Sequence, residues 1–128
     1  MTGMFERYLT ATMTRNADAL AELFTEDGVY EAPLLPEGRR FPHRLDGREA
    51  IRTTMAAYYR DTAAESRAVD VTRSRYVVHT ATDPDVFVVE VDAAFVGEPR
   101  PMSLVYIFRL RDGRIALLRD YFAPDQVD

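Results

Sequence analysis

A chain of 128 residues with 47% hydrophobic and 29% charged side chains is sized for one domain, residues 1–128, and can bury a core without disulfides or a structural metal. Its sixteen basic residues are all arginine and its net charge is -5, which argues against phosphate-backbone binding and so against a nucleic-acid partner. With no lysine there is no Schiff base to a carbonyl substrate, and with no cysteine no thiolate nucleophile or thiolate-bound zinc.

The opening residues, Met1 to Arg7, lack the basic-then-apolar order of a signal peptide, and no apolar run approaches the ~18 residues that cross a bilayer. The expectation is a cytoplasmic protein with no membrane partner. Phe5, Tyr8, Leu9 and Met13 recur at helical spacing, and Asn16 opens a second periodic stretch carrying Leu20, Leu23 and Phe24. Residues 29–32 then read as a short extended run, stopped by Pro33 and Pro36, and residues 33–46 as a loop. The capping-box spacing of Asp46 and Glu49 predicts a third helix, with Ile51, Met55, Tyr58, Tyr59 and Thr62 on one face, fading near Glu65.

From Ala68 the period becomes two, which predicts strands over 68–81, 85–97, 102–111 and 114–122. Asp83-Pro84-Asp85, Gly97 to Pro101 and Asp112-Gly113 supply the turns between them, so the strands form an antiparallel meander. Helices followed by strands make an α+β domain, a cone-shaped barrel with three N-terminal helices on a curved antiparallel sheet and a cavity between the layers.

Alternation along 86–94 puts Val86, Val88, Glu90, Asp92 and Ala94 on one face and Phe87, Val89 and Val91 on the other. Turned inward, Glu90 and Asp92 would raise each other's proton affinity and suit acid-base work; turned outward, they are simply solvated. In the last strand Asp120 interrupts the apolar set Ala116, Leu118 and Phe122, either as a cavity carboxyl or as a strand-end partner of an arginine. Tyr8, Tyr30 and Tyr106 sit in apolar patterns that aim their hydroxyls toward the cavity, where they serve an oxyanion or merely pack. Tyr58, Tyr59 and Tyr76 read as structural, although Tyr59 is also a wall candidate. His43 lies in the proline-rich loop, as a lid residue or an exposed one, and His79 near a strand end, so no metal site is expected. Neither a phosphate-cradling glycine loop nor a nucleotide fingerprint occurs.

The residues from Arg7 to Leu9, from Ala19 to Pro33, from Gly47 to Ile51, and from Ile107 to Ile115 with Arg119 to Phe122 strongly resemble the nuclear transport factor 2-like superfamily, and within it the SnoaL-like enzymes. The resemblance to ketosteroid isomerase puts its oxyanion-hole tyrosine at Tyr8, its base on Ala32 and its protonated aspartic acid on Tyr106. The resemblance to limonene epoxide hydrolase keeps Asp92, Asp120 and Tyr30, with Glu90 in place of the bridging arginine and Ala32 in place of the asparagine; Arg73 or Arg75 would have to bridge instead. The phenazine-biosynthesis enzymes share the look of His79 to Asp92, put their catalytic glutamate at Asp120 and their pocket histidine at Thr54.

Together these imply an acid-base enzyme of secondary metabolism that needs no cofactor, a cyclase, isomerase or dehydratase for an apolar, polyketide-like carbonyl or hydroxyl compound. Asp120 is the main proton donor or acceptor, Asp92 and Glu90 tune its affinity or share the proton, and Tyr30, Tyr8 or Tyr106 orient the substrate oxygen. Phe5, Leu9, Met55, Tyr59, Val88, Leu104, Leu118 and Phe122 form the wall. An epoxide hydrolase, a non-catalytic carrier and a dimeric interaction module are the alternatives, and the resemblance implies a homodimer packed through its sheets.

Overall fold

The computed structural model describes residues 2–127. Three helices, α1 (Thr2–Met13), α2 (Ala17–Glu22) and α3 (Arg48–Asp61), lie on one face of a six-stranded sheet. The strands are β1 (Phe24–Glu31), β2 (Arg44–Asp46), β3 (Arg75–Thr80), β4 (Val86–Ala93), β5 (Met102–Arg111) and β6 (Arg114–Tyr121), in the order β2-β1-β6-β5-β4-β3. This is the expected α+β architecture of the nuclear transport factor 2-like fold, with β3 to β6 as the meander. The sequence pattern did not show that β1 pairs parallel with β6 and that β2 extends the sheet beyond it.

Each helix follows its apolar spacing. Met4, Phe5, Tyr8 and Ala11 turn α1 inward, as Leu20 and Ala21 turn α2 and Ile51 and Met55 turn α3. Between the layers, Phe5, Phe24, Phe87 and Phe108 are wholly buried, and Phe87 stacks on Phe108 with centroids 4.6 Å apart.

Four local expectations are corrected. Phe24 continues the helical spacing of Leu20 and Leu23, yet α2 stops at Glu22 and Phe24 opens β1 opposite Ile115, whose N–H donates to the Leu23 carbonyl at 2.8 Å. The loop over 33–46 ends in β2, three residues that carry no readable period. Asp46 does not cap α3, because its carboxylate is held by Arg44 and Gly47 takes the cap position with φ at 98°. The strand over 68–81 begins only at Arg75: Asp70 folds the preceding residues into a turn by accepting from Thr72 and Arg73, leaving Val69 a lone bridge to Phe95.

Candidate active site

The inner faces of β1, β5 and β6 supply the polar centre. Along β6 the alternation Leu118, Asp120, Phe122 points inward, so the carboxyl sits in a row of buried apolar groups and is only 5% exposed. Tyr106 stands opposite Asp120 on β5. Tyr30 lies beside Leu118 on β1 and donates its hydroxyl to Asp120 Oδ2 at 2.6 Å. Asp120 Oδ1 is buried with no hydrogen-bond partner among the described residues.

Burial pushes the Asp120 carboxyl up to about 7 against an ordinary 3.8, and the Tyr30 bond opposes that rise. Burial likewise holds the Tyr8, Tyr30 and Tyr106 hydroxyls well above the usual phenol range, assisted by the Asp120 charge, and Tyr59 is pushed up to about 12. These phenols therefore stay protonated and act as donors, while the one carboxyl among them changes charge near neutrality.

A cavity of about 200 Å³ opens beside these groups, with Leu20, Phe24, Ile51, Met55 and Leu104 among its apolar lining. Its roof is the segment between β1 and β2 together with the chain end. Phe41 meets Tyr30, Tyr58 and Phe122 edge-on, with centroids 6.1, 5.1 and 5.6 Å away. Arg39 joins the two segments by donating to the carbonyls of Pro124 and Val127 at 3.2 and 3.3 Å.

Of the residues expected here, Asp120, Tyr30, Tyr8, Tyr106, Met55, Tyr59, Leu104 and Phe122 meet at the chamber. Phe5 and Leu118 lie in the core behind it, and Leu9 lines a separate outer groove. His43 is tied into its own loop, its Nδ1 donating to the Leu35 carbonyl. Asp92, Glu90 and Val88 are corrected: all three lie on the outer face of the sheet, because Phe87 and Val89 take the inner positions of β4. Asp92 is held there by Ser103 and Arg75, which keep its carboxyl below the usual range, and Glu90 faces His79. Arg75 therefore meets Asp92 outside the sheet, and no bridge between Asp92 and Asp120 forms in the chamber.

Phe24, Phe41 and Met102 line the chamber but were missed by the sequence reading. Met102 was findable, since it shares the alternation of Leu104 and Tyr106; Phe41 was not, because its loop has no period. Among the described residues no three side chains of metal-ligating type converge, and no helix is long and apolar enough to cross a membrane.

The geometry defines a small chamber between three helices and a six-stranded sheet, with one neutral-range carboxyl among tyrosines. A SnoaL-like domain model matches residues 5–118, and the chain belongs to that family. It is 30% identical over 118 residues to an uncharacterised PhzA/B-like protein of Pseudomonas aeruginosa, covering 88% of this chain and 77% of the relative. A Sinorhizobium meliloti protein provisionally assigned as a polyketide cyclase is 26% identical with a TM-score of 0.57, over 92% of this chain and 93% of that one. A Bacillus subtilis protein provisionally assigned as an isomerase has a TM-score of 0.72 at 23% identity, over 96% and 86%, a likeness of fold alone.

Proposed function

We propose that the protein is an acid-base enzyme that moves a proton on a small apolar carbonyl or hydroxyl compound, in a cyclisation, isomerisation or dehydration. The observation that carries this reading is Asp120: a buried carboxyl titrating near neutrality, with Oδ2 held by Tyr30 and Oδ1 left without a partner among the described residues. A group with proton affinity near the working pH both takes and returns a proton efficiently. In its ionised form Asp120 Oδ1 accepts the proton from a carbon or hydroxyl of the bound molecule; in its protonated form it returns it at the neighbouring position. Tyr30 keeps the carboxyl in one orientation. Tyr8 and Tyr106 donate to the oxygen on which charge develops, in surroundings where water competes poorly. These steps use the chain's own side chains, in line with a cofactor-independent reaction. The relative provisionally assigned as a polyketide cyclase supports this class of chemistry.

The epoxide hydrolase reading loses support from Asp92, which bonds Ser103 and Arg75 on the opposite side of the sheet. The same outer face supports a homodimer, since Val77, Val88, Val105, Ile107 and Leu117 lie there.

The enzyme reading is tested by proton exchange. Incubated in heavy water with a panel of small cyclic ketones and enones, the protein should speed deuterium incorporation beside the carbonyl of at least one member. Asp120→Asn should slow it about 10²–10⁴-fold while leaving binding intact. Exchange at the rate of buffer throughout, or equal rates with Asp120→Asn, refutes it and leaves a carrier.

A further inference from the structure

The chain leaves α1 through a left-handed residue. Asn16 N–H reaches back to the Ala11 carbonyl at 2.9 Å and Arg15 N–H to that of Thr12 at 3.1 Å, the paired bonds of a helix terminus that usually employs glycine. Here the position is Arg15, with φ at 53°. Its side chain turns back under α3, with the guanidinium carbon 4.8 Å from the centroid of the Tyr59 ring. One terminal nitrogen donates to the Tyr59 carbonyl at 3.0 Å and to the Thr62 hydroxyl. All of these partners are uncharged, and among the described residues Arg15 has no carboxylate partner.

Arg15 lines an outer groove of about 780 Å³ that runs between the helices and the far end of the sheet. The other arginines of this groove face acids: Arg40 is paired with Glu65 at 2.9 Å, and Arg67 stands 3.7 Å from Glu98. Thr12, Met102, Leu104, Tyr106 and Val127 form walls of both this groove and the inner chamber, so the two spaces adjoin. The chamber, at about 200 Å³, is smaller than the roughly 300–1,000 Å³ usual for small-molecule sites. It takes the reacting end of a molecule whose remainder needs space elsewhere.

We propose that the substrate is an amphipathic acid, with its apolar reacting end in the chamber and its carboxylate against Arg15 in the outer groove. This rests on the chamber being the reaction site. A half-buried guanidinium with no ionic partner is a site of unspent positive charge, and a carboxylate is the group that gains most from it. The left-handed backbone fixes where the side chain starts and Tyr59 fixes where its plane lies, so the anchor is held in place before the ligand arrives.

Calorimetry with a series of ω-phenylalkanoic acids, each compared with the alcohol of the same chain length, separates the two ideas. In the wild type the best acid should bind about tenfold more tightly than its alcohol. In Arg15→Gln that preference should vanish while the alcohol's affinity is kept. Arg15→Gly provides a variant whose backbone suits the left-handed position, and it should give the same result with the fold retained by circular dichroism. Met55→Trp, which fills the chamber, should weaken the alcohol in every background. Equal binding of acid and alcohol by the wild type, or an acid preference surviving in both Arg15 variants, overturns the anchor. Alcohol binding absent from the wild type, or indifferent to Met55→Trp, overturns the chamber reading and the anchor with it.

Discussion

A carboxyl placed on an inward β position is costly unless it is protonated, and this gives Asp120 a signature independent of any substrate. The folded chain binds its proton more tightly than the unfolded chain does, because its value rises from 3.8 to about 7 on burial. The neutral carboxyl is tolerated at low pH, and stability is lost as pH climbs from the unfolded value through the folded one; the whole span is worth at most about 4 kcal/mol. Asp120→Asn cannot ionise and lacks this loss. Urea unfolding should therefore find Asp120→Asn more stable than the wild type at pH 8, with the gap closing toward pH 4. A gap that is constant with pH would mean that Asp120 is solvated. The outward carboxylates carry the opposite sign: Asp92 and Asp70 are held low by their hydrogen bonds, so what they contribute is lost as pH falls.

At the level of elements, β1 decides whether Tyr30 reaches Asp120. Between Phe24, which pairs with Ile115, and Val29, which pairs with Leu117, β1 bulges and its register shifts. Gly28 sits in that bulge where an added Cβ would lie 2.8 Å from the Ile115 carbonyl oxygen, a backbone atom with little room to retreat. Gly28→Ala should therefore destabilise the fold by about 1–3 kcal/mol in urea unfolding and loosen the Tyr30 contact. An unchanged midpoint would show that the bulge yields freely. Such contacts also explain what could be read in advance. Helix faces, the meander and the inward set Leu118, Asp120 and Phe122 follow from period alone. The parallel pairing of β1 with β6 joins distant segments and leaves no local mark. Period also showed that Glu90 and Asp92 share a face but could not choose which face is buried; the large residues Phe87 and Val89 made that choice.

Across the whole molecule, the outer sheet face has a composition that favours a second copy. Its charges are largely satisfied within the chain: Arg75 with Asp92, His79 with Glu90, and Arg119 with Glu31. Between them run Val77, Val88, Val105, Ile107 and Leu117, with Val77 53% exposed, an apolar stripe on which Arg109 alone has no ionic partner among the described residues. Two such stripes related by a two-fold axis would bury apolar surface on each other. Ile107 lies on the central strand β5 directly across from Arg119. Ile107→Glu therefore gains a cross-strand partner in the monomer while putting two carboxylates into a symmetric interface. Sedimentation equilibrium should give the wild type twice the 14.6 kDa chain mass and Ile107→Glu the single mass, with unchanged circular dichroism. A monomeric wild type, or a variant that still sediments as a dimer, would remove this face as the interface.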